Sequence, residues 1–103
     1  MVKVIGDSNF SEEIKDGVVV VDFYADWCGP CKMIAPVMEE LSNDMEGKVK
    51  FCKVNVDNNQ RISQEYGITN IPSILFFKNG QKVDMQVGFV PKNVLEQKIN
   101  SFL

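Results

Sequence analysis

The spacing of apolar residues changes several times along the chain, and each change predicts an element. Val18 to Ala25 reads Val-Val-Val-Val-Asp-Phe-Tyr-Ala, an apolar run broken only by one carboxylate. β-Branched and aromatic residues without turn chemistry predict a strand buried on both faces, as inside a parallel sheet. Beyond it, Ile34, Val37, Met38, Leu41 and Met45 recur at i, i+3 and i+4, the stripe of an amphipathic helix. That helix is expected to begin near Pro30, whose missing N–H costs nothing in a first turn, and to end at Gly47. Pro36 falls inside it. The lost backbone hydrogen bond should bend the axis while the stripe continues, unless the helix stops at Ala35 and restarts.

The remaining chain yields to the same rules. Val2 to Ile5 is a short strand, with Lys3 marking a sheet edge. Asn9 followed by Glu12 makes a capping-box pattern for a helix that buries Phe10 and Ile14 and stops at Asp16-Gly17. Val49 to Val56 alternates, with Phe51, Lys53 and Asn55 on one face and Cys52, Val54 and Val56 on the other. Asp57-Asn58-Asn59 is turn and cap chemistry leading into a short helix from Gln60 to Tyr66, closed by Gly67. After a loop from Ile68 to Pro72, Ile74 to Phe77 is a strand. Asn79-Gly80 then signals a hairpin that returns along Gln81 to Val87. Gly88 breaks the pattern, and Pro91 opens a last helix with Val94, Leu95, Ile99 and Phe102 inward. The order βαβαβαββα predicts an α/β fold, a mixed five-stranded sheet flanked by four helices on both faces. At 103 residues, positions 1–103 are expected to form a single domain.

Composition narrows the function. Apolar content of 45% and charged content of 24% are ordinary for a globular chain. A net charge of −3 opposes nucleic acid and anionic membrane as partners, since both select a basic face. The longest apolar run is far short of a membrane span. Met1 to Ile5 meets Gly6-Asp7 before any signal-peptide core develops. Three cysteines, one of them left over from pairing, suit a reducing compartment, so a cytoplasmic location is expected.

The chemistry concentrates in Trp27-Cys28-Gly29-Pro30-Cys31, between the central strand and the long helix. Residues at i and i+3 share a helix face, so the two sulfurs can close a disulfide without moving the backbone. Free N–H groups of a first helical turn also favour thiolate over thiol. A structural zinc or iron–sulfur site needs four ligands, whereas the chain has no histidine and one further cysteine, Cys52. No metal and no cofactor are therefore expected. Cysteines can also serve as core filler, but filler leaves the flanking Trp and Gly-Pro unexplained. The redox reading makes Cys28, nearer the loop, the exposed nucleophile and Cys31, one turn in, the shielded resolving thiol. Cys52 belongs to no motif and reads as a small core hydrophobe. Asp22 is the odd residue of its strand. It either reaches solvent at the strand end or is buried for a purpose, since a buried carboxylate costs free energy.

Trp27-Cys28-Gly29-Pro30-Cys31-Lys32, preceded by Val21-Asp22-Phe23, resembles the active-site stretch of the thioredoxin family. Ile71-Pro72-Ser73 and Lys78-Asn79-Gly80 resemble two further landmarks of that family, in the same order and at similar distances. The likeness runs from about residue 2 to the end. It implies the thioredoxin fold, with strands in the spatial order first, third, second, fourth, fifth. It implies a general protein disulfide reductase, a monomer recharged by thioredoxin reductase and acting on disulfide-containing target proteins. Asp22 matches the family's buried aspartate, which takes the proton of Cys31 through water. Lys53 matches a lysine that tunes that aspartate, although a solvated strand end would also account for it. Family oxidases and isomerases carry a histidine between their cysteines, so Gly29 and Pro30 imply a reductant. Pro72 matches a cis-proline whose backbone pairs with an extended substrate. Trp27, Ile68, Ile71, Gly88 and Phe89 would form an apolar docking patch, although a tryptophan can equally be core. Tyr24, Asn70, Ser73 and Phe89 depart from the commoner choices, which bears on target preference rather than on the exchange reaction. A pure scaffolding role, with an incidental dithiol, is the competing function; such a scaffold would need none of the pair, Asp22 and Pro72.

Overall fold

The computed structural model describes all 103 residues. Its elements follow the predicted order: β1 (Lys3–Val4), α1 (Phe10–Ile14), β2 (Val18–Tyr24), α2 (Gly29–Asp44), β3 (Val49–Asn55), α3 (Gln60–Glu65), β4 (Ser73–Lys78), β5 (Gln81–Val87) and α4 (Lys92–Asn100). The sheet order is β1-β3-β2-β4-β5. β3 runs parallel to both β1 and β2, whereas β4 is antiparallel to β2 and β5. Crossover helices connect the parallel strands, and a tight turn joins the last two. Asn79 and Gly80 both hold positive φ, 52° and 86°, the backbone that matches a hairpin to strand twist.

Alternation along β2 splits the core into two layers. Val18 and Val20 face α2 and α4, joining Ile34, Met38, Leu41, Phe51, Phe76, Leu95 and Ile99. Val19, Val21 and Phe23 face α1 and α3, joining Phe10, Ile14, Val54, Ile62 and Phe77. Burial on both faces explains the near-continuous apolar sequence of this strand. α2 runs unbroken through Pro36, so the helix does not stop at Ala35. Its apolar stripe buries as predicted, with Ile34, Met38 and Leu41 enclosed and Val37 at the margin.

The helix caps correct the sequence reading. Asn9 precedes α1, yet its side chain makes no cap bond to that helix. Its Oδ1 instead accepts from the Gly6 N–H at 2.9 Å, and Glu12 pairs with Lys15 at the surface. The capping box is therefore not formed. The first-turn N–H of Ile62 in α3 is capped from far away in sequence, by Asp7 Oδ1 at 2.9 Å. Asn9 takes a local turn N–H three residues back in place of its helix, whereas the fold brings Asp7 to the α3 terminus.

Candidate active site

β2 and α2 meet at the C-terminal end of the parallel strands, and their junction carries the two cysteines. Cys28 is the N-cap of α2, in extended backbone at φ −93° and ψ 114°. Its Sγ accepts from the Cys31 N–H at 3.2 Å. An N-cap acceptor satisfies one of the unpaired N–H groups of the first turn, and a sulfur there sits at the positive end of the helix dipole. Cys31, one turn in, has no equivalent donor. The two are joined as a disulfide with Cα atoms 5.2 Å apart.

Burial corrects one expectation. Cys28 is 5% exposed and Cys31 3%, so in the oxidised protein the expected contrast between exposed and shielded sulfurs is absent. Ala25, Tyr24, Val56 and Ile71 pack around the pair. What separates the two sulfurs is the backbone: one sits at the cap where N–H groups converge, the other inside the helix. Cys28 Sγ also lies 3.7 Å from the Ile71 carbonyl oxygen. A disulfide sulfur has no hydrogen to donate, so this is a contact now and a donor site for the thiol once the pair is reduced.

Asp22 does not reach solvent. It is 4% exposed, on the sheet face that packs against α2, and its Oδ1 has no protein partner. Burial pushes its carboxyl up to about 7, against a smaller opposing pull from the Lys53 ammonium. Lys53 is the register partner of Asp22 across β2 and β3, and its ammonium lies 5.7 Å from the Tyr24 ring centroid. It is half-buried rather than a free strand end.

Of the expected docking residues, Trp27 is 70% exposed and Phe89 40% exposed. Ile71 is half-buried against the dithiol, whereas Ile68 leans into the core layer beside Val56 and Tyr66. Ile71–Pro72 is a cis peptide bond. Pro72 is buried, and its carbonyl already accepts from the Gly88 N–H at 2.8 Å. Proline has no N–H, so the main-chain groups free to meet a peptide belong to Ile71, whose N–H has no internal partner. A shallow groove of about 160 Å³ beside the pair is lined by Tyr24, Ala25, Asp26, Cys31, Lys32 and Ala35. The larger depression, about 370 Å³ between Gly17 and Gly47, lies at the opposite pole and holds no thiol. No group of three or more Cys, Asp or Glu side chains converges to hold a metal.

The thioredoxin family model matches residues 1–101. Thioredoxin 1 of Nostoc sp. is 50% identical over 101 residues, covering 96% of this chain and 94% of its own length. The thioredoxin of Bacillus subtilis is 50% identical over 97 residues, covering 94% and 93%. That of Rickettsia felis is 47% identical over 102 residues, covering 97% of each. The chain belongs to the thioredoxin family. It is a thiol–disulfide oxidoreductase, a protein-disulfide reductase whose redox-active pair is Cys28 and Cys31. No helix is long and apolar enough to cross a membrane.

Against this thioredoxin frame, one feature of the site escaped sequence reading. The Trp27 indole N–H donates to Asp57 Oδ2 at 2.9 Å, across 30 positions of sequence. Asp57 lies in the stretch that reads from sequence as turn and cap chemistry. Cys52 bears out the core reading: it is fully enclosed, and burial pushes its thiol up to about 11. A buried, protonated thiol is a poor nucleophile. Cys52→Ala should leave turnover within about twofold of the parent and cost on the order of 1 kcal/mol of stability. Steady-state kinetics with a urea melt check both; a tenfold loss of turnover in a folded variant would refute it.

Proposed function

We propose that the chain is a general reductant of protein disulfides, with Cys28 as nucleophile. The supporting observation is the Cys28 Sγ at the cap of α2, receiving the Cys31 N–H. That donor stabilises a thiolate at Cys28 and nothing comparable serves Cys31. Cys28 thiolate attacks one sulfur of a target disulfide and forms a mixed disulfide, and the other target sulfur leaves as thiolate. Cys31 then gives its proton to Asp22 and attacks Cys28 Sγ, which expels the second target thiolate. The target gains two electrons and the chain closes its own Cys28–Cys31 bridge. Asp22 suits the proton step because its carboxyl near 7 is divided between acid and base at neutral pH. Lys53, beside it in register, keeps the carboxyl from rising further. Gly29 and Pro30 add no charge near the thiolate, which favours a reductant.

Trp27, Ile71, Gly88 and Phe89 frame the dithiol for an extended target segment, with Ile68 backing the patch and Pro72 setting its inner wall. Main-chain pairing falls to Ile71. The electrons return from a thioredoxin reductase, with no bound cofactor beyond the dithiol itself. Residues 1–103 act as one domain and a monomer in the cytoplasm, on protein partners rather than nucleic acid or membrane. The test is turnover. Catalytic amounts of the chain, with NADPH and thioredoxin reductase, should reduce many equivalents of a protein disulfide. Failure to exceed one equivalent under these conditions would overturn the proposal.

A further inference from the structure

Trp27 stands out of the surface, and its ring belongs to none of the packed clusters. An exposed aromatic with a free torsion flips on the picosecond-to-nanosecond scale and presents no fixed face to a partner. The indole bond to Asp57 restrains it. Asp57 is itself exposed, so its own position depends on what holds the segment between β3 and α3.

Backbone bonds start that segment, from the Val56 N–H to the Tyr24 carbonyl and from the Asn58 N–H to the Asn55 carbonyl, and the Asn59 side chain ties it to the loop before α1. As the N-cap residue of α3, Asn59 would ordinarily bond to its own helix, and it does not. Its Nδ2 donates to the Asn55 carbonyl at 3.0 Å, and its Oδ1 accepts from the Asp7 N–H at 2.9 Å. Asn55 Oδ1 in turn accepts from the Asp57 N–H at 2.9 Å. Asp7 returns the tie by capping Ile62. Gly6 leaves the room this joint needs, since a Cβ there would overlap Asn59 Oδ1. A continuous chain of hydrogen bonds thus runs from the loop before α1, through Asn59, Asn55 and Asp57, to the tryptophan beside the nucleophile.

We propose that Asn59 is a positioning residue for target docking: by locking the β3–α3 segment to the Gly6–Asp7 turn, it fixes Asp57 and through it the Trp27 ring. Asn59 touches neither sulfur nor substrate. Its loss should weaken recognition of protein targets and spare the exchange chemistry. This rests on Trp27 being part of the docking face, and the experiment separates the two ideas.

Trp27 is the only tryptophan, so its fluorescence anisotropy reports its motion directly. In Asn59→Ala the anisotropy should fall, and KM for a protein disulfide should rise about fivefold, the size expected for losing one ordered polar joint. kcat, and the rate with a small aliphatic disulfide, should stay within about twofold. Gly6→Ala, which displaces the Asn59 amide without removing it, should move both readouts in the same direction. It carries the test if Asn59→Ala does not fold. In an Asp57→Ala background, Asn59→Ala should add little, because its route to Trp27 is already cut. Unchanged anisotropy and KM in a folded variant would overturn the inference. So would equal losses on protein and small substrates, or full multiplication of the Asn59 and Asp57 effects. If Trp27→Ala itself leaves KM unchanged, the docking reading fails and takes this inference with it. If Trp27→Ala raises KM and Asn59→Ala does not, this inference alone falls.

Discussion

Cys31→Ser is expected to turn the enzyme into a trap. The variant keeps a Cys28 thiolate at the helix cap, so it still attacks target disulfides, but no resolving thiol remains to release the product. Covalent mixed disulfides should accumulate, about one per chain, and multiple turnover should fall by at least ~10³. Cys28→Ser should lose turnover to the same degree and trap nothing, because the remaining Cys31 lacks the N–H donor that stabilises a thiolate. Intact mass spectrometry after mixing each variant with a disulfide-bonded protein distinguishes them. Adducts on Cys28→Ser and none on Cys31→Ser would reverse the assignment. The near-equal burial of the two sulfurs gives this experiment its weight, since accessibility in the oxidised protein does not separate them.

Asp22→Asn should make the oxidised protein more stable and a poorer enzyme. Burial pushes the folded carboxyl up to about 7, against 3.8 for the free side chain. Between those values the native state holds a proton that the unfolded chain has lost, so stability falls as pH rises from about 4 to about 7. Above that window the buried carboxylate costs on the order of 4 kcal/mol. Asparagine carries no such charge. The gain of the variant should be near zero below pH 4 and reach its full size above pH 7. Its resolving step should slow, because Cys31 loses its proton acceptor. Urea melts across pH and single-turnover kinetics decide both halves. An asparagine variant that is less stable at pH 8, or that resolves as fast as the parent, would defeat the assignment.

Much of this architecture was readable in the chain, for identifiable reasons. The valine run of β2 and the stripe of α2 each bury in one dominant way, so pattern and fold agree. The hairpin at Asn79-Gly80 has a local backbone cause that no tertiary contact needs to supply. The spatial order of the strands was a different matter: periodicity fixes elements, not neighbours, and the order came from likeness to the family. Within the site, Cys28, Cys31 and Asp22 stood out as chemistry in unexpected surroundings. Asp57 and Asn59 did not, because Asp and Asn in a turn have a sufficient local explanation. Their partners lie 30 and 52 positions away. The register shift of β4 and β5 between Phe76 and Phe77 was equally silent, since one extra residue in an exposed edge strand leaves no compositional trace. The Ile71–Pro72 bond is cis, as the likeness to the family implies, whereas the Gly88 N–H on the Pro72 carbonyl is a contact that no sequence rule anticipates.

β2 is bonded along both edges, to β3 and to β4, and Val19, Val20 and Val21 have no exposed surface. Amides in such a strand trade their hydrogens for deuterium only when the whole molecule opens. Deuterium uptake at these three residues therefore measures global stability from inside the strand that carries Asp22. On the outer edge of β5, amides exchange through local fraying instead and stay blind to the carboxylate's ionisation.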